Sequence, residues 1–208
     1  MDNDDDGSEI GDAGAFELCF AAGTWIATPG GEALVEDLRI GDLVTTADGR
    51  AVPVKWIGRQ TIEKRLAGQR AQLVRIAAGA LGNHSDLHVT ADHGMVLDGY
   101  VVNASALVNG HSIDWVPIGD TPAVQTVYHL ETEAHNVILA NGAQAETFVD
   151  AATRENFDNY SEYLAMFGAE RLVPEMNAIR ISCRRLLPDD IKYRLGLLEA
   201  PGSHSVAS

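Results

Sequence analysis

Three residue types in this chain could together move an acyl group: a thiol, a hydroxyl and an imidazole. Cys19 supplies the thiol, at the point where an acidic N-terminal stretch gives way to a regularly patterned region. Thr90 and His93 supply the other two groups, and their three-residue spacing can place both side chains on one short turn. A thiol that attacks a backbone carbonyl needs a base to activate it and an acid for the departing nitrogen. We therefore predict that Cys19 attacks the carbonyl of Leu18.

The same residue types also allow structural interpretations. A lone cysteine is often a small buried hydrophobic residue, and a turn histidine is often satisfied by backbone groups. Four side chains near the predicted turn are of types that zinc accepts, but they lack the usual second pair of ligands: His84, Asp86, His88 and His93. The sequence therefore predicts no metal site and no organic cofactor.

The composition is that of a folded, strongly acidic chain. Apolar residues make up 46% of the 208 residues, and 30 acidic residues against 15 basic ones give a net charge of -15. This charge disfavours nucleic acids and anionic membranes as partners, because both require a basic face. Residues 1–18 hold seven of the acidic residues and no basic one, which predicts a solvated leader.

The sequence gives little information on the cellular compartment of the protein. The chain has no apolar run of membrane-spanning length, and its first residues lack the pattern of a signal peptide. Two cysteines, at positions 19 and 183, are too few for a disulfide framework and leave the redox compartment undecided. The localisation is therefore unknown, and a secreted or cell-surface parent protein is compatible with the sequence.

Residues 19–150 have the sequence pattern of an all-β domain. Short apolar runs alternate with turns there, and no stretch has a helical period. Asp48-Gly49 and Asp98-Gly99 each separate two β-prone runs, which predicts two hairpins. The runs 126–131 and 136–142 are predicted to form a final pair of strands.

Residues 151–208 change to a helical pattern. Apolar residues recur at helical spacing from Tyr160 to Phe167 and stop at Gly168, a residue suited to a C-terminal cap. A second helix is predicted to start at Pro188, with acidic residues in its first turn. We therefore predict three parts: an acidic leader (1–18), an all-β domain (19–150) and a short helical C-terminal extension with a disordered end (151–208).

Three segments occur in a characteristic order along the β-rich part. CFAAGTWIATPGGEALVEDLRIGDLV starts at Cys19, HVTADH contains Thr90 and His93, and VYHLETEAHNVILANG contains His135. They resemble the opening block, the T-x-x-H block and a late block of the Hint superfamily. That superfamily comprises the autoprocessing domains of inteins, bacterial intein-like proteins and hedgehog C-terminal regions. The resemblance covers residues 19 to about 150 and implies a horseshoe-like all-β fold with pseudo-twofold halves.

The resemblance also implies an activity and its catalytic residues. An N-to-S acyl shift at the Leu18–Cys19 bond would give a thioester, which water or an external nucleophile would cleave to release the N-terminal flank. His93 would bond to the scissile nitrogen and act as the general acid, Thr90 would hold the peptide, and His135 would assist the second step. Such a domain acts once on its own chain, so whether to class it as an enzyme is uncertain.

Several positions depart from the family pattern. Inteins end with a His-Asn pair whose asparagine cyclises, but here the chain continues past Asn141-Gly142 without such a pair, so full splicing is not expected. His129 stands where inteins carry an aspartate, and among the acidic residues the region 56–65 offers only Glu63 for the hedgehog aspartate. Sterol transfer is therefore not supported.

Two other functions are compatible with these residues. The domain could be degenerate and inactive, serving as a structural or interaction module of a larger secreted protein. It could also be a transferase-like variant in which the C-terminal extension positions an acceptor. For the self-cleaving function, the expected substrate is the chain's own N-terminal flank and the acceptor is water or a small nucleophile. We expect no nucleic-acid or membrane partner, and a monomer.

Overall fold

The computed structural model describes residues 18–147 and 151–198, which form two large β-sheets, one small sheet and a few short helices. The predicted all-β fold with a short helical C-terminal extension is confirmed. Residues 1–17 of the predicted leader (1–18) and the predicted disordered end lie outside the described residues. Within the described part, no helix is long and apolar enough to cross a membrane.

The strands of the described residues follow one another along the chain as β1 (Phe20–Ala21), β2 (Trp25–Thr28), β3 (Gly31–Leu34), β4 (Leu43–Thr45), β5 (Ala51–Pro53), β6 (Trp56–Glu63), β7 (Val74–Ile76), β8 (Leu87–Val89), β9 (Gly94–Leu97), β10 (Tyr100–Asn103), β11 (Ile113–Trp115), β12 (Val124–Glu131), β13 (Val137–Ala140), β14 (Ala143–Glu146) and β15 (Ile179–Ile181). The α-helices are α1 (Lys64–Ala67), α2 (Ala104–Leu107), α3 (Tyr160–Phe167) and α4 (Asp189–Arg194). Short 3-10 turns cover Gly68–Ala71, Ala151–Asn156 and Arg184–Leu186.

The first large sheet has the strand order β11-β7-β8-β1-β12-β6. Its longest pairing joins β12 to β6 in an antiparallel ladder over all eight residues of each strand. The short strand β1 lies between β8 and β12 and is antiparallel to both. The start of the β-rich region is therefore held inside this sheet and not at its edge.

The second large sheet has the order β15-β10-β9-β14-β13-β2-β3. The hairpin between β9 and β10 turns at Asp98 and Gly99, whose φ angles of 49° and 85° are both positive, as the turn predicted for Asp-Gly requires. The predicted hairpin at Asp48-Gly49 also forms, between β4 and β5. At one edge, β15 from the C-terminal extension pairs in parallel with β10.

Three details differ from the sequence-based expectation. Strands β12 and β13 do not pair with each other; they lie in different sheets, because β12 pairs with β6 and β1 while β13 pairs with β14 and β2. Two one-turn helices, α1 and α2, occur before residue 151. The C-terminal extension is also not purely helical, since it contributes β15. Alternating apolar patterns locate strands, but they do not identify a strand's partner.

The predicted helix of the extension is confirmed as α3. It ends at Gly168, which has the left-handed φ of 71° and donates its N–H to the Leu164 carbonyl. Its Tyr163 is fully buried and packs edge-on against Trp56 of β6. The second predicted helix is confirmed as the shorter α4. The extension therefore packs against the β-domain through aromatic contacts.

A buried ion pair also anchors the extension. Arg154 is fully buried and donates Nε–H to Glu131 Oε2 at 2.9 Å, while its Nη1 reaches Glu170 at 2.5 Å. Burial raises the pKa of Glu131, and the Arg154 guanidinium opposes that rise. Glu131 is the last residue of β12, so this pair joins the extension to the end of the second strand from one edge of the first sheet.

We expect Arg154→Ala to lower the free energy of unfolding by about 3–5 kcal/mol, because Glu131 would keep its buried charge without its closest partner. Urea unfolding measures the loss. The double variant Arg154→Met/Glu131→Leu removes both charges and is the control; it is expected to recover most of the loss. A cost of only about 0–1 kcal/mol, as for an exposed pair, would contradict this assignment.

Candidate functional site

The candidate site is built by the pairing of β1 with its two neighbours. Phe20 of β1 lies opposite Val89 of β8 on one side and opposite Tyr128 of β12 on the other. In antiparallel pairs, the residue before a paired position lies beside the residue after its partner. The position just before Phe20 is therefore flanked by the residue that follows Val89 and the residue that follows Tyr128. These three positions are Cys19, Thr90 and His129.

Thr90 holds the backbone of Cys19 at the nitrogen. The Cys19 N–H donates to Thr90 Oγ1 at 2.9 Å, and the Thr90 N–H donates to the Cys19 carbonyl at 3.0 Å. Thr90 is 2% exposed, so water competes little for these bonds. The nitrogen of the Leu18–Cys19 peptide bond is thereby fixed by a residue 71 positions away in the sequence.

His129 contacts the other end of the same peptide bond. Its Nδ1 lies 2.9 Å from the Leu18 carbonyl oxygen. A carbonyl oxygen only accepts, so the proton is on Nδ1 and the ring is the donor. Burial lowers the pKa of His129 to about 4, and the bond to Leu18 opposes that fall. His129 is therefore a neutral, buried hydrogen-bond donor on the Leu18 carbonyl.

His93 lies beside the same linkage and is completely buried. Its ring packs on the ring of Phe20 with centroids 4.3 Å apart. Among the described residues, neither ring nitrogen has a hydrogen-bond partner of good geometry, although the Leu18 backbone is near enough to act on the pKa of the ring. Burial lowers that pKa to about 4, so the imidazole is neutral near pH 7.

The contacts on the Leu18–Cys19 peptide bond differ from those that the sequence predicts. His93 was expected to bond to the Cys19 nitrogen, whereas the N–H of that nitrogen goes to Thr90. The carbonyl of Leu18 has His129 as its donor. The reason is the strand register: His129 belongs to β12, directly beside β1, while His93 lies beyond the end of β8.

The Cys19 side chain is buried in an apolar cluster. Its neighbours include Trp56 of β6 and Val127 of β12. Phe157 and Tyr163, both from the C-terminal extension, complete the same cluster. The extension therefore helps to exclude water from the residue that carries the thiol.

A second polar cluster is centred on Glu146, the last residue of β14, which is 1% exposed. Oε1 accepts the Gly94 N–H at 2.9 Å and Arg180 Nη1 at 3.0 Å. Oε2 lies 2.9 Å from His135 Nε2 and 2.6 Å from Arg180 Nη2. Burial alone would raise the pKa of Glu146, but the hydrogen bonds from His135 and Arg180 lower it to about 2.

His135 belongs to this cluster and not to the Leu18–Cys19 linkage. The Met176 N–H donates to its Nδ1 at 2.9 Å, so Nε2 carries the proton that goes to Glu146. Both ring nitrogens are therefore engaged in a buried network, and the assistance of His135 in the second step stays a prediction. Motif resemblance located this histidine, but it could not identify the partner of its ring.

Asn141 has a structural role in the described fold. It occupies the turn between β13 and β14 with a φ of 48°. Its Oδ1 accepts the Trp25 N–H at 2.7 Å, and its Nδ2 donates to the Asp86 carbonyl at 2.8 Å. The side-chain amide is thus hydrogen-bonded through both its oxygen and its nitrogen.

A cavity of about 490 Å³ opens beside Thr90. It has a mostly apolar wall and a few polar groups, supplied by Gln69, Arg70, Gln72, Thr90, Ala91, Asp92 and Trp115. Of the described residues that contact the Leu18–Cys19 linkage, Thr90 is the one that this lining includes.

Comparison with known proteins gives a consistent family match. A family model described as the Hint domain matches residues 18–152. A search of curated proteins finds no match. Among solved structures, a bacterial intein-like domain from Clostridium thermocellum is 18% identical with a TM-score of 0.48, covering 62% of this chain and 97% of its own. A DnaB intein from Synechocystis sp. is 12% identical with a TM-score of 0.44, covering 63% and 99%.

Proposed function

Because the chain belongs to the Hint domain family over residues 18–152, a family known for autoprocessing, we propose that it cleaves its own backbone between Leu18 and Cys19. The observation that carries this proposal is the pair of contacts on one peptide bond. The carbonyl of Leu18 has the His129 donor at 2.9 Å, and the nitrogen of Cys19 has Thr90 Oγ1 at 2.9 Å.

The first step is an exchange of the amide for a thioester. Cys19 Sγ attacks the Leu18 carbonyl carbon, and the neutral His93 ring takes the thiol proton. Negative charge develops on the carbonyl oxygen, where the His129 Nδ1–H stabilises it. The C–N bond then breaks, and the imidazolium of His93 returns the proton to the nitrogen. The products are a thioester on Cys19 Sγ and a free amine on Cys19.

The depressed pKa of His93 suits this sequence of events. A ring with a pKa of about 4 rests in the form that accepts a proton near pH 7. Thr90 holds the N–H in the peptide plane, so the lone pair that forms as the nitrogen becomes pyramidal points out of that plane. Thr90 therefore fixes the geometry while His93 transfers the proton.

The second step transfers the leader to an acceptor. Water, a thiol or an amine attacks the thioester carbonyl and restores the Cys19 thiol, so atoms and charge balance without a cofactor. The cavity beside Thr90 supports access for a small acceptor. Full splicing is not part of the proposal, because the hydrogen bonds of Asn141 hold its side chain in a turn.

The test is a mass measurement on the purified chain, incubated without additive, with dithiothreitol or with hydroxylamine. We expect a product that begins at Cys19, and with hydroxylamine a leader that carries a hydroxamate on Leu18. N-terminal sequencing of the product confirms the cut. A chain that stays intact for days under every nucleophile would contradict self-cleavage and leave the inactive structural module as the function.

We expect His129→Phe to slow thioester formation by about 10²- to 10³-fold, because it removes the donor from the developing oxyanion. His129→Asn is the matched control, since its amide nitrogen comes near the position of Nδ1 and should retain part of the rate. Leader release in hydroxylamine, followed by mass spectrometry, measures both. Equal rates for the two variants would show that the donor has no catalytic role.

A further inference from the structure

The Glu146 carboxylate touches the turn that carries His93. It accepts the N–H of Gly94, the residue directly after His93, at 2.9 Å. A Cβ atom at position 94 would lie 2.2 Å from Glu146 Oε1, so only glycine allows the carboxylate to come this close. The position of Glu146 therefore determines where the backbone after His93 can lie.

Glu146 is in turn held by a residue of the C-terminal extension. Arg180 of β15 makes two charge-assisted hydrogen bonds to it, one to each oxygen, at 3.0 and 2.6 Å. Such a two-point contact fixes the plane of the carboxylate and not only its distance. Glu175 contacts Arg180 Nε at 3.1 Å and restrains the guanidinium from the other side.

We infer that Arg180 is a positioning residue for the self-cleavage site, acting through Glu146 on the Gly94 backbone and hence on His93. This inference rests on the proposed function. It gives the C-terminal extension a role in the cleavage site, in addition to its packing against the β-domain. The parallel pairing of β15 with β10 is what brings Arg180 into reach.

The charges around His93 agree with this coupling. Beyond the burial that lowers the pKa of His93, the Glu146 charge raises it and the Arg180 charge lowers it. His129 on β12 also faces His93, and each of these rings is neutral near pH 7. Loss of the Arg180 charge should therefore raise the pKa of His93, and loss of the Glu146 charge should lower it.

The test uses the full chain and four variants. Arg180→Leu removes the two-point contact, Arg180→Lys keeps the charge, and Glu146→Gln removes the carboxylate. Arg194→Leu is the matched control, because Arg194 lies in the same extension and pairs with Asp98 at the surface. Each variant is made twice, once in the active chain for leader release and once with Cys19→Ala for titration of His93 by NMR.

We expect Arg180→Leu to slow leader release by about 10- to 100-fold, because a small displacement of the reacting groups costs that much. Arg180→Lys should recover part of the rate, and Arg194→Leu should leave it unchanged. In the inert background, the pKa of His93 should rise with Arg180→Leu and fall with Glu146→Gln. A general loss of structure would not move the titration in these opposite directions.

Two failures can be told apart. If a folded Arg180→Leu chain releases the leader at the normal rate and titrates His93 normally, the positioning inference is overturned and the proposed function stands. If the unaltered chain never releases the leader, the proposed function is overturned. The titrations in the inert background still decide whether Arg180 acts on His93, since they do not require cleavage.

Discussion

The Cys19→Ala chain is expected to release no leader, whether water, dithiothreitol or hydroxylamine is present. Alanine lacks the sulfur that becomes the thioester, and no other thiol of the chain lies next to the Leu18 carbonyl. The only other cysteine, Cys183, is exposed and precedes the 3-10 turn Arg184–Leu186 in the extension. Intact mass after several days measures the outcome. The loss should be complete and not a matter of degree.

Cys183→Ser is the control for this experiment. It removes the exposed thiol while leaving the linkage untouched, and release should continue at the normal rate. Cleavage that persists in Cys19→Ala, with a product that still begins at residue 19, would mean hydrolysis without a thioester. That result would contradict the acyl-shift mechanism, although the predicted position of the cut would be correct.

The second large effect is expected for His93→Ala, which should slow leader release by about two to four orders of magnitude. The reason is the loss of the group that takes the thiol proton and returns it to the departing nitrogen. Leader release in hydroxylamine, followed by mass spectrometry, gives the rate. His84→Ala is the matched control, because His84 is an exposed histidine paired with Glu32. This change should leave the rate of leader release unaltered.

The His93→Ala variant also loses a buried ring that packs on Phe20, so its fold must be checked by circular dichroism. A folded His93→Ala chain that cleaves within a few-fold of the normal rate would remove His93 from the mechanism. The rate of His93→Ala relative to His129→Phe then shows which imidazole contributes more.

The stability of the fold and the rate of cleavage are both expected to fall toward acidic pH. His93 and His129 have a pKa of about 4 in the folded chain, against about 6.5 for an unperturbed histidine. The unfolded chain therefore binds more protons between these values, and the folded state loses stability as the pH falls from 6.5 toward 4. The base itself, with a pKa of about 4, becomes protonated only at the acid end of this range. Both effects make cleavage decline toward acid, and rate measurements belong above pH 6.5.

The sequence predicted the parts of the site that are local. Two short segments have recognisable patterns. One holds Cys19 with the Gly23-Thr24 pair four residues later, and the other holds Thr90 and His93 in the T-x-x-H spacing. The hairpin at Asp98-Gly99 and the end of α3 at Gly168 were predictable for the same reason, since a positive φ favours these residue types.

The parts that were missed depend on contacts between distant segments. His129 was visible as the residue in place of the intein aspartate, but only the register of β12 against β1 shows that its ring reaches the Leu18 carbonyl. Glu146 and Arg180 had no signal at all, because they lie 34 positions apart and meet across strands whose pairing the sequence does not encode locally. The predicted pairing of 126–131 with 136–142 failed for the same reason.

The place of β1 in the middle of its sheet bears on what drives the reaction. The proposed cut falls one residue ahead of β1, so the trimmed chain would keep β1 paired with β8 on one side and with β12 on the other. The proposed cleavage would therefore keep this strand pairing, while it would remove the hydrogen bond between His129 and Leu18 and leave a new amino group at the buried Cys19. The proposed cut leaves both ladders of β1 in place. The free energy that makes it irreversible must come from hydrolysis or aminolysis of the thioester and from dilution of the departing peptide.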